Sequence, residues 1–267
     1  MLETFTLVTK GNRMFEVKFT VITVVFNGEK TIRKTIESVL KQSYKPYEYL
    51  IIDGKSNDNT LKIIQQYDDL FFQKGIVLKI ISEHDTGIYN AMNKGIRLAT
   101  GEFISFLNSG DWYELDALEN IFNYYKKDSF DLIYGSLNYV RPDGTKIIKK
   151  SKFDEYIISS RNWNHPSMFL KSDFYKAIGF DESFDMYSDF DLYLKIRKRN
   201  DLKIKVIDKI ITNFVADGVS TSVDFDNVLK KAKEKYVSYK QNGYSRLYWI
   251  EAYGWEFFKC LYFRVFS

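Results

Sequence analysis

The first half of the chain repeats one unit four times: a short aliphatic run, an abrupt polar break, then apolar residues at helical spacing. Phe19-Thr-Val-Ile-Thr-Val-Val-Phe26 is almost wholly apolar and β-branched, as expected of a strand buried on both faces of a parallel sheet. Asn27-Gly28 stops it, and Ile32, Ile36, Val39 and Leu40 then trace one helix face. Tyr49-Leu-Ile-Ile52 ends at Asp53-Gly54, with Ser56, Asn57 and Asp58 available to cap a helix carrying Leu61, Ile64, Tyr67 and Phe71. Ile76-Val-Leu-Lys-Ile-Ile81 runs into Ser82-Glu-His-Asp-Thr-Gly87, ahead of a helix with Ile88, Met92, Gly95, Leu98 and Ala99. Phe103-Ile-Ser-Phe-Leu107 exits into Asn108-Ser-Gly-Asp111, ahead of a helix with Leu115, Leu118, Phe122 and Tyr125. This alternation predicts an α/β fold, a mostly parallel sheet with right-handed crossovers and helices on both faces. Such sheets bind ligands outside the carboxyl ends of their strands. Asn27, Asp53, Asp85 and Asp111 fall at those ends, so three carboxylates are expected on one rim.

Composition narrows the function. With 267 residues and 45% apolar content the chain has room for one large domain and its core, and is not a disordered sequence. A net charge of +4, spread along the chain, argues against nucleic acid as a partner. Cys260 is the single cysteine, so no internal disulfide forms. No uncharged apolar run reaches the length of a membrane span, and the N-terminus lacks the apolar core of a secretory signal, so a cytoplasmic location is expected. The 22 Phe and 20 Tyr suit either an aromatic-rich core or surfaces that meet sugars or lipid headgroups.

After residue 130 the texture changes. Asp131–Gly135, Leu137–Val140 and Thr145–Ile148 read as short strands, the last two joined at Pro142-Asp-Gly144. Helices are expected near 171–178 and 188–199, an extended stretch at Ile204–Ile207, and helix from 226 onward. Trp249, Tyr253, Phe257, Cys260 and Leu261 share one helical stripe, near Lys259 and Arg264. That stripe suits a helix packed on the domain, a dimer contact, or a peripheral membrane contact through 245–267.

Three carboxylates on one rim repel one another unless a cation or a donor-rich ligand lies between them. Mg2+ and Mn2+ take oxygen ligands, commonly one or two carboxylates plus substrate phosphates. Two histidines and one cysteine are too few for a zinc site. No Gly-x4-Gly-Lys-Ser/Thr loop is present, and no Gly-x-Gly-x-x-Gly follows the first strand. The competing reading of each Asp is a plain helix cap.

Taken in order, Val21–Asn27, Ile52–Thr60, Ser82–Gly95, Ala99–Glu102, Phe106–Asp111, Gly179–Phe184 and Ser188–Leu194 resemble the successive motifs of family 2 glycosyltransferases with the GT-A fold. The resemblance covers about residues 18–220. It implies a GT-A-like catalytic domain over 18–225, with a nucleotide-sugar half (18–112) and an acceptor half (113–225). Residues 1–17 form an N-terminal extension that could pair as a hairpin, and 226–267 an aromatic, basic, helical extension. The implied reaction is inverting transfer from a nucleoside-diphosphate sugar, most simply a UDP-sugar, to a hydroxyl of a glycan or lipid-linked acceptor. Its setting would be bacterial surface-polysaccharide assembly, at the inner face of the cell membrane. Asp53 matches the carboxylate that meets the uracil or ribose, Asp85 a second nucleotide contact, and Asn27 a turn lining that pocket. Asp111 matches the last acid of the Asp-x-Asp-type motif that binds Mn2+ or Mg2+, although Gly110 stands where a second Asp is common. Asp189 matches the catalytic base; Asp191, two residues on, points away from it on a helix and can pair with Lys195. His165 and Trp163 fall on the acceptor side, each with a core role as the alternative. Two other readings remain at this point: a sugar-phosphate nucleotidyltransferase, which lacks its Gly-rich basic loop here, and a non-catalytic nucleotide-sugar-binding protein.

Overall fold

The structure, a computed structural model, describes residues 17–154, 156–215, 225–254 and 256–258. The hairpin expected in the N-terminal extension, and Lys259, Cys260, Leu261 and Arg264 of the C-terminal stripe, lie outside the described residues. The four expected strand–helix rounds are present: β1 (Phe19–Val25), α1 (Ile32–Leu40), β2 (Glu48–Asp53), α2 (Thr60–Gln65), α3 (Asp68–Gln73), β3 (Val77–Ser82), α4 (Ile88–Leu98), β4 (Phe103–Phe106) and, after the two-residue β5 (Trp112–Tyr113), α5 (Ala117–Lys127). The expected second helix is broken into α2 and α3, because Asp68 and Asp69 start a new first turn where a helix N-terminus favours negative charge. Then follow β6 (Leu132–Val140), β7 (Lys146–Lys149), β8 (Met168–Lys171), α6 (Ser172–Ile178), α7 (Ser188–Arg197), β9 (Ile204–Val215) and α8 (Phe225–Gln241).

The strands form one sheet in the order β3-β2-β1-β4-β8-β6-β9-β5, with β7 pairing Leu137–Val140 of β6 beyond the stretch that β8 covers. β3, β2, β1 and β4 run parallel, in registers that place Val25 beside Asp53 and Asp53 beside Ser82. β1 is buried along its whole length, which explains its lack of polar alternation. Gly95 on α4 marks how closely that helix lies on β1. A Cβ there would sit 2.7 Å from Ile22 Cγ2 and 3.1 Å from its Cδ1, and Ile22 is fully buried. In an open helix Gly→Ala gains about 1 kcal/mol; here overpacking against a stiff β-branched side chain costs about 1–3 kcal/mol. Gly95→Ala is therefore expected to lower the Tm by a few degrees in a thermal melt, and a raised Tm would mean that the helix can move off the strand.

The amino edge of the parallel strands is closed by one buried carboxylate. Glu48 accepts hydrogen bonds from Thr20 Oγ1 (2.6 Å), the Thr100 backbone N–H, Thr100 Oγ1 (2.9 Å) and Gly101 N (3.1 Å), and pairs with Lys79 (3.0 Å). Burial alone would raise its pKa, but these donors hold it below the usual carboxylate value. That edge is locked for stability, which leaves the carboxyl edge for a site.

Beyond residue 130 the structure merges two expected strands. Asp131–Gly135 and Leu137–Val140 form the single strand β6, interrupted only by register shifts against β9 between Tyr134 and Leu137. A Cβ on Gly135 would lie 2.7 Å from the Lys209 carbonyl, so this glycine permits close approach at an irregularity and does not end the strand. β5 and β8 were not foreseen. β8 is four residues wedged antiparallel between β4 and β6, too short to show a period. At the C-terminus, α8 packs on α7 through Tyr239, which meets Phe190 edge-on. Residues Ile250–Gly254 wind as a π turn, so the 249, 253, 257 stripe divides. Tyr253 and Phe257 pack toward Tyr236 and Phe225 of α8, while Trp249 stays exposed. Among the described residues no helix is long and apolar enough to cross a membrane.

Candidate active site

Adjacent strands lie about 4.8 Å apart, so the order β3-β2-β1-β4 sets Asp85, Asp53, Asn27 and Asp111 in succession along one carboxyl edge. Two loops there are stitched together. Asn27 adopts a left-handed φ of 51°, which Asn tolerates. Its N–H donates to Ser56 Oγ (2.8 Å) and its Oδ1 accepts from Asn57 N (3.0 Å), while Gly28 N donates to Thr60 Oγ1 (2.8 Å). Asp53 is fully buried: Oδ1 accepts from Ser56 Oγ (2.5 Å), and Oδ2 from Ser56 N (3.1 Å) and Ser82 Oγ (2.6 Å). Asp85 lies against the same turn. Its Oδ2 is 3.2 Å from where a Cβ on Gly54 would sit, and its Oδ1 is 2.6 Å from Lys94 Nζ. Lys94 also reaches Glu83 (3.0 Å) and the His84 carbonyl (2.7 Å), which neutralises part of the acidic rim from within the chain.

The β4 exit is fastened to α1. Thr31 and Ser109 share a hydroxyl hydrogen bond (2.9 Å), and Thr35 Oγ1 accepts from Gly110 N (2.9 Å) and donates to the Asp111 carbonyl (2.8 Å). Gly110 has a φ of +105°, a conformation in which an Asp would be strained. Asp111 is buried and its Oδ1 accepts from Val215 N (2.9 Å), which ties the turn to β9. Three residues earlier, Asn108 Oδ1 is buried with no hydrogen-bond partner among the described residues. No group of three or more His, Cys, Asp or Glu gathers there among the described residues. The turn therefore offers one carboxylate and one amide oxygen, a hard-oxygen set that suits Mg2+ or Mn2+ when substrate phosphates and water complete the shell. The side chain of Trp112, next to Asp111, lies under the Lys34 ammonium, 2.9 Å from its ring centroid.

Asp189 is the second residue of α7, and its side chain is 26% exposed. Oδ1 accepts from Phe190 N (2.8 Å) and from the hydroxyl of Tyr89 (3.3 Å), on the first turn of the helix that follows the Asp85 loop. This tyrosine is what joins Asp189 to the strand-end rim. Burial pushes the Asp189 pKa up to about 6, against the hydrogen bonds from Phe190 N and Tyr89 that lower it. Burial and the Asp189 charge push the Tyr89 phenol well above its ordinary value, so it remains a donor. The segment before α7 is pinned to α4: Phe180 N donates to Asn93 Oδ1 (2.8 Å), and Asn90 and Asn93 both donate to Glu182 (2.8 Å each). Asp191 points the other way, is buried, and meets Lys195 (2.7 Å), Gln241 (2.7 Å) and Asn242 (2.6 Å).

His165 and Trp163 lie deeper than an acceptor-facing pair would. His165 Nδ1 is 3.8 Å from Asp189 Oδ2, but burial pushes the imidazole down to about 3, so it is neutral and the contact is no ion pair. The ring lies among Phe106, Phe180 and Trp163. Trp163 is 4% exposed and stacks on Tyr193 (4.7 Å, 14°), which leaves no open face for a sugar. The sequence offers Ser56 only as a helix cap and does not single out Tyr89, Lys94 or Ser82. Ser82 and Ser56 flank strand ends, a signal that was available; Tyr89, a hundred residues from Asp189, gave none.

The chain is 26% identical over 231 residues to UDP-Glc:alpha-D-GlcNAc-diphosphoundecaprenol beta-1,3-glucosyltransferase WfgD of Escherichia coli, covering 85% of this chain and 88% of that protein. It is 29% identical over 246 residues to the chondroitin synthase of Escherichia coli, covering 86% of this chain but only 35% of the synthase, so it spans about a third of that relative's length. Among solved structures, S. aureus TarS 1-349 in complex with UDP-GlcNAc superposes with a TM-score of 0.64 at 20% identity, over 90% of this chain and 72% of that one. The mannosyltransferase PcManGT from Pyrobaculum calidifontis, in complex with GDP-Man and Mn2+, gives a TM-score of 0.64 at 16% identity, over 93% of this chain and 74% of that one. These two share the fold. A family model described as glycosyl transferase family 2 matches residues 20–191, from the second residue of β1 to the buried Asp191 two positions past Asp189. With well over half of its length inside that match, the chain belongs to glycosyl transferase family 2.

Proposed function

We propose that the protein is an inverting glycosyltransferase that moves a sugar from a UDP-sugar to a hydroxyl of a glycan or lipid-linked acceptor, with Asp189 as general base. The observation that carries this reading is the setting of Asp189: a half-shielded carboxylate with a pKa of about 6, held by Tyr89 beside the strand-end rim. Its oxygens suit the removal of a proton near neutral pH. The acceptor O–H would give its proton to Asp189 as its oxygen bonds to the sugar C1. The C1–O bond to the diphosphate breaks on the opposite face, and that electron pair leaves on UDP. Asn27, Asp53 and Asp85 would line the nucleoside side; for Asp53 this requires the base or ribose to share a carboxylate now held by Ser56 and Ser82. Asp111 and Asn108 would hold Mn2+ or Mg2+, which when bound offsets charge on the leaving diphosphate. Bound UDP-GlcNAc in TarS and the named UDP-glucose donor of WfgD support the choice of UDP.

The base reading predicts a pH profile. Below about pH 6 Asp189 is protonated and cannot accept, so kcat/KM for UDP release should fall about tenfold per pH unit on the acid side and level off above. An acid limb near the ordinary carboxylate value would contradict it.

A lipid-linked acceptor is favoured by the C-terminal surface. Ile157, Leu247 and Ile250 line an open cavity of about 500 Å3 together with Arg161 and Glu251, and the exposed Tyr156 (87%), Trp249 and Arg246 adjoin them in the chain. Aromatic and basic side chains together suit the headgroup region of a membrane. In this reading the enzyme works as a peripheral protein at the inner membrane face, and the same patch is the alternative seat of a homodimer contact.

A further inference from the structure

Helix α7 lacks a cap of its own. Its N-cap residue, Tyr187, makes no side-chain capping bond, and Ser188 Oγ is buried without a hydrogen-bond partner among the described residues. The turn that leads into it is held from 47 to 49 residues away in sequence. Glu234, on α8, accepts three consecutive backbone N–H groups: Asp185 N at Oε1 (3.2 Å), and Met186 N (2.8 Å) and Tyr187 N (3.1 Å) at Oε2. A carboxylate is favoured there by the helix macrodipole as well as by the bonds. Neighbouring contacts grip the same turn. Lys230 pairs with Asp185, Tyr187 Oη donates to Glu256 (3.3 Å), and Lys235 joins Glu256 (3.1 Å) while lying 5.5 Å from the Tyr187 ring. Asp189 begins two residues after the last N–H that Glu234 holds. All the α8 groups lie beyond residue 191, where the family match ends.

We propose that Glu234 is a positioning residue for the base: the carboxylate of α8 fixes the turn 185–187, and through it the direction in which Asp189 faces the rim. The C-terminal extension is thus part of the catalytic machinery and not an appendage to it. The proposal rests on the reading of Asp189 as base, so both are tested together. Glu234→Gln leaves one acceptor and turns an amide N–H2 toward the turn's donors. The full-length protein is assayed for UDP release with Mn2+ on UDP-GlcNAc and UDP-glucose, with rates normalised to UDP-binding sites counted by calorimetry. A misdirected base costs on the order of 10- to 100-fold in kcat, so Glu234→Gln should show that loss with UDP affinity unchanged within about threefold. In an Asp189→Asn background the same substitution should lower the residual rate no further, because both changes remove one function. Glu234→Asp, which keeps the charge but shortens the reach, should fall between wild type and Gln, and carries the test alone if the Gln variant does not fold. Wild-type kcat per site in these variants overturns the proposal, as does a loss confined to the number of UDP-binding sites, or an equal further loss in the Asp189→Asn background. If Asp189→Asn retains full turnover, the base reading falls and this inference with it. If Asp189→Asn is inactive while the Glu234 variants behave as wild type, this inference alone falls.

Discussion

Asp189→Asn should lower turnover by about 10^2- to 10^4-fold, the range for loss of a general base, while leaving UDP affinity intact. The amide keeps an acceptor for Phe190 N and Tyr89 but cannot take a proton, so the shape of the site survives and its chemistry does not. The same substitution should stabilise the fold at neutral pH. The folded carboxyl has a pKa of about 6 against an ordinary 3.8, so folding penalises the ionised form. Two units correspond to about 3 kcal/mol at pH 7. A raised carboxyl pKa means that the native state holds its proton more tightly, so wild type gains relative stability as pH falls from about 6 to about 4. The advantage of Asp189→Asn, expected at about 1–3 kcal/mol in denaturant melts at pH 7, should therefore vanish near pH 4. Unchanged turnover removes Asp189 as the base, and an unchanged melt removes burial as the cause of its shifted pKa.

Asp111→Ala is expected to be the second large effect. Loss of the only carboxylate on the β4 turn should weaken Mn2+-dependent turnover by several kcal/mol of barrier, about 10^2- to 10^3-fold. Excess chelator should bring wild type down to the level of the variant and leave the variant unchanged. Because Asp111 Oδ1 also accepts the Val215 N–H, the alanine loosens the end of β9 as well. Asp111→Asn separates the two effects, since its amide oxygen retains that bond while the charge is gone. If Asp111→Asn restores turnover, Asp111 serves β9 and not a cation; undiminished wild-type activity in chelator would end the metal reading altogether.

Much of the carboxyl edge was legible in the chain. A parallel strand buried on both faces must be apolar throughout, so its end is abrupt, and the residue at the break stands at the carboxyl edge. That reasoning located Asn27, Asp53, Asp85 and Asp111 along one edge before any coordinates. The chain after residue 130 was less legible, because several of its strands are short and paired out of sequence order: β8 sits between β4 and β6, and Gly135 marks an irregularity inside a strand that looked like a break. Trp163 illustrates a further limit. An indole that stacks on sugar and one that stacks on Tyr193 have the same sequence signature.

Local spacing, then, sufficed for the strand–helix alternation and for the edge that carries the carboxylates, because periodicity and turn chemistry act over a few residues; the family came from the resemblance of the ordered motifs. Only the tertiary structure decided that Asp53 is held by Ser56 and Ser82, that Lys94 answers Asp85, that Tyr89 reaches Asp189 from a hundred residues away, and that Glu234 holds the turn 185–187 ahead of it. Those contacts depend on which helices lie beside one another, and burial, which sets the proton affinity of Asp189, is a property of the packed whole.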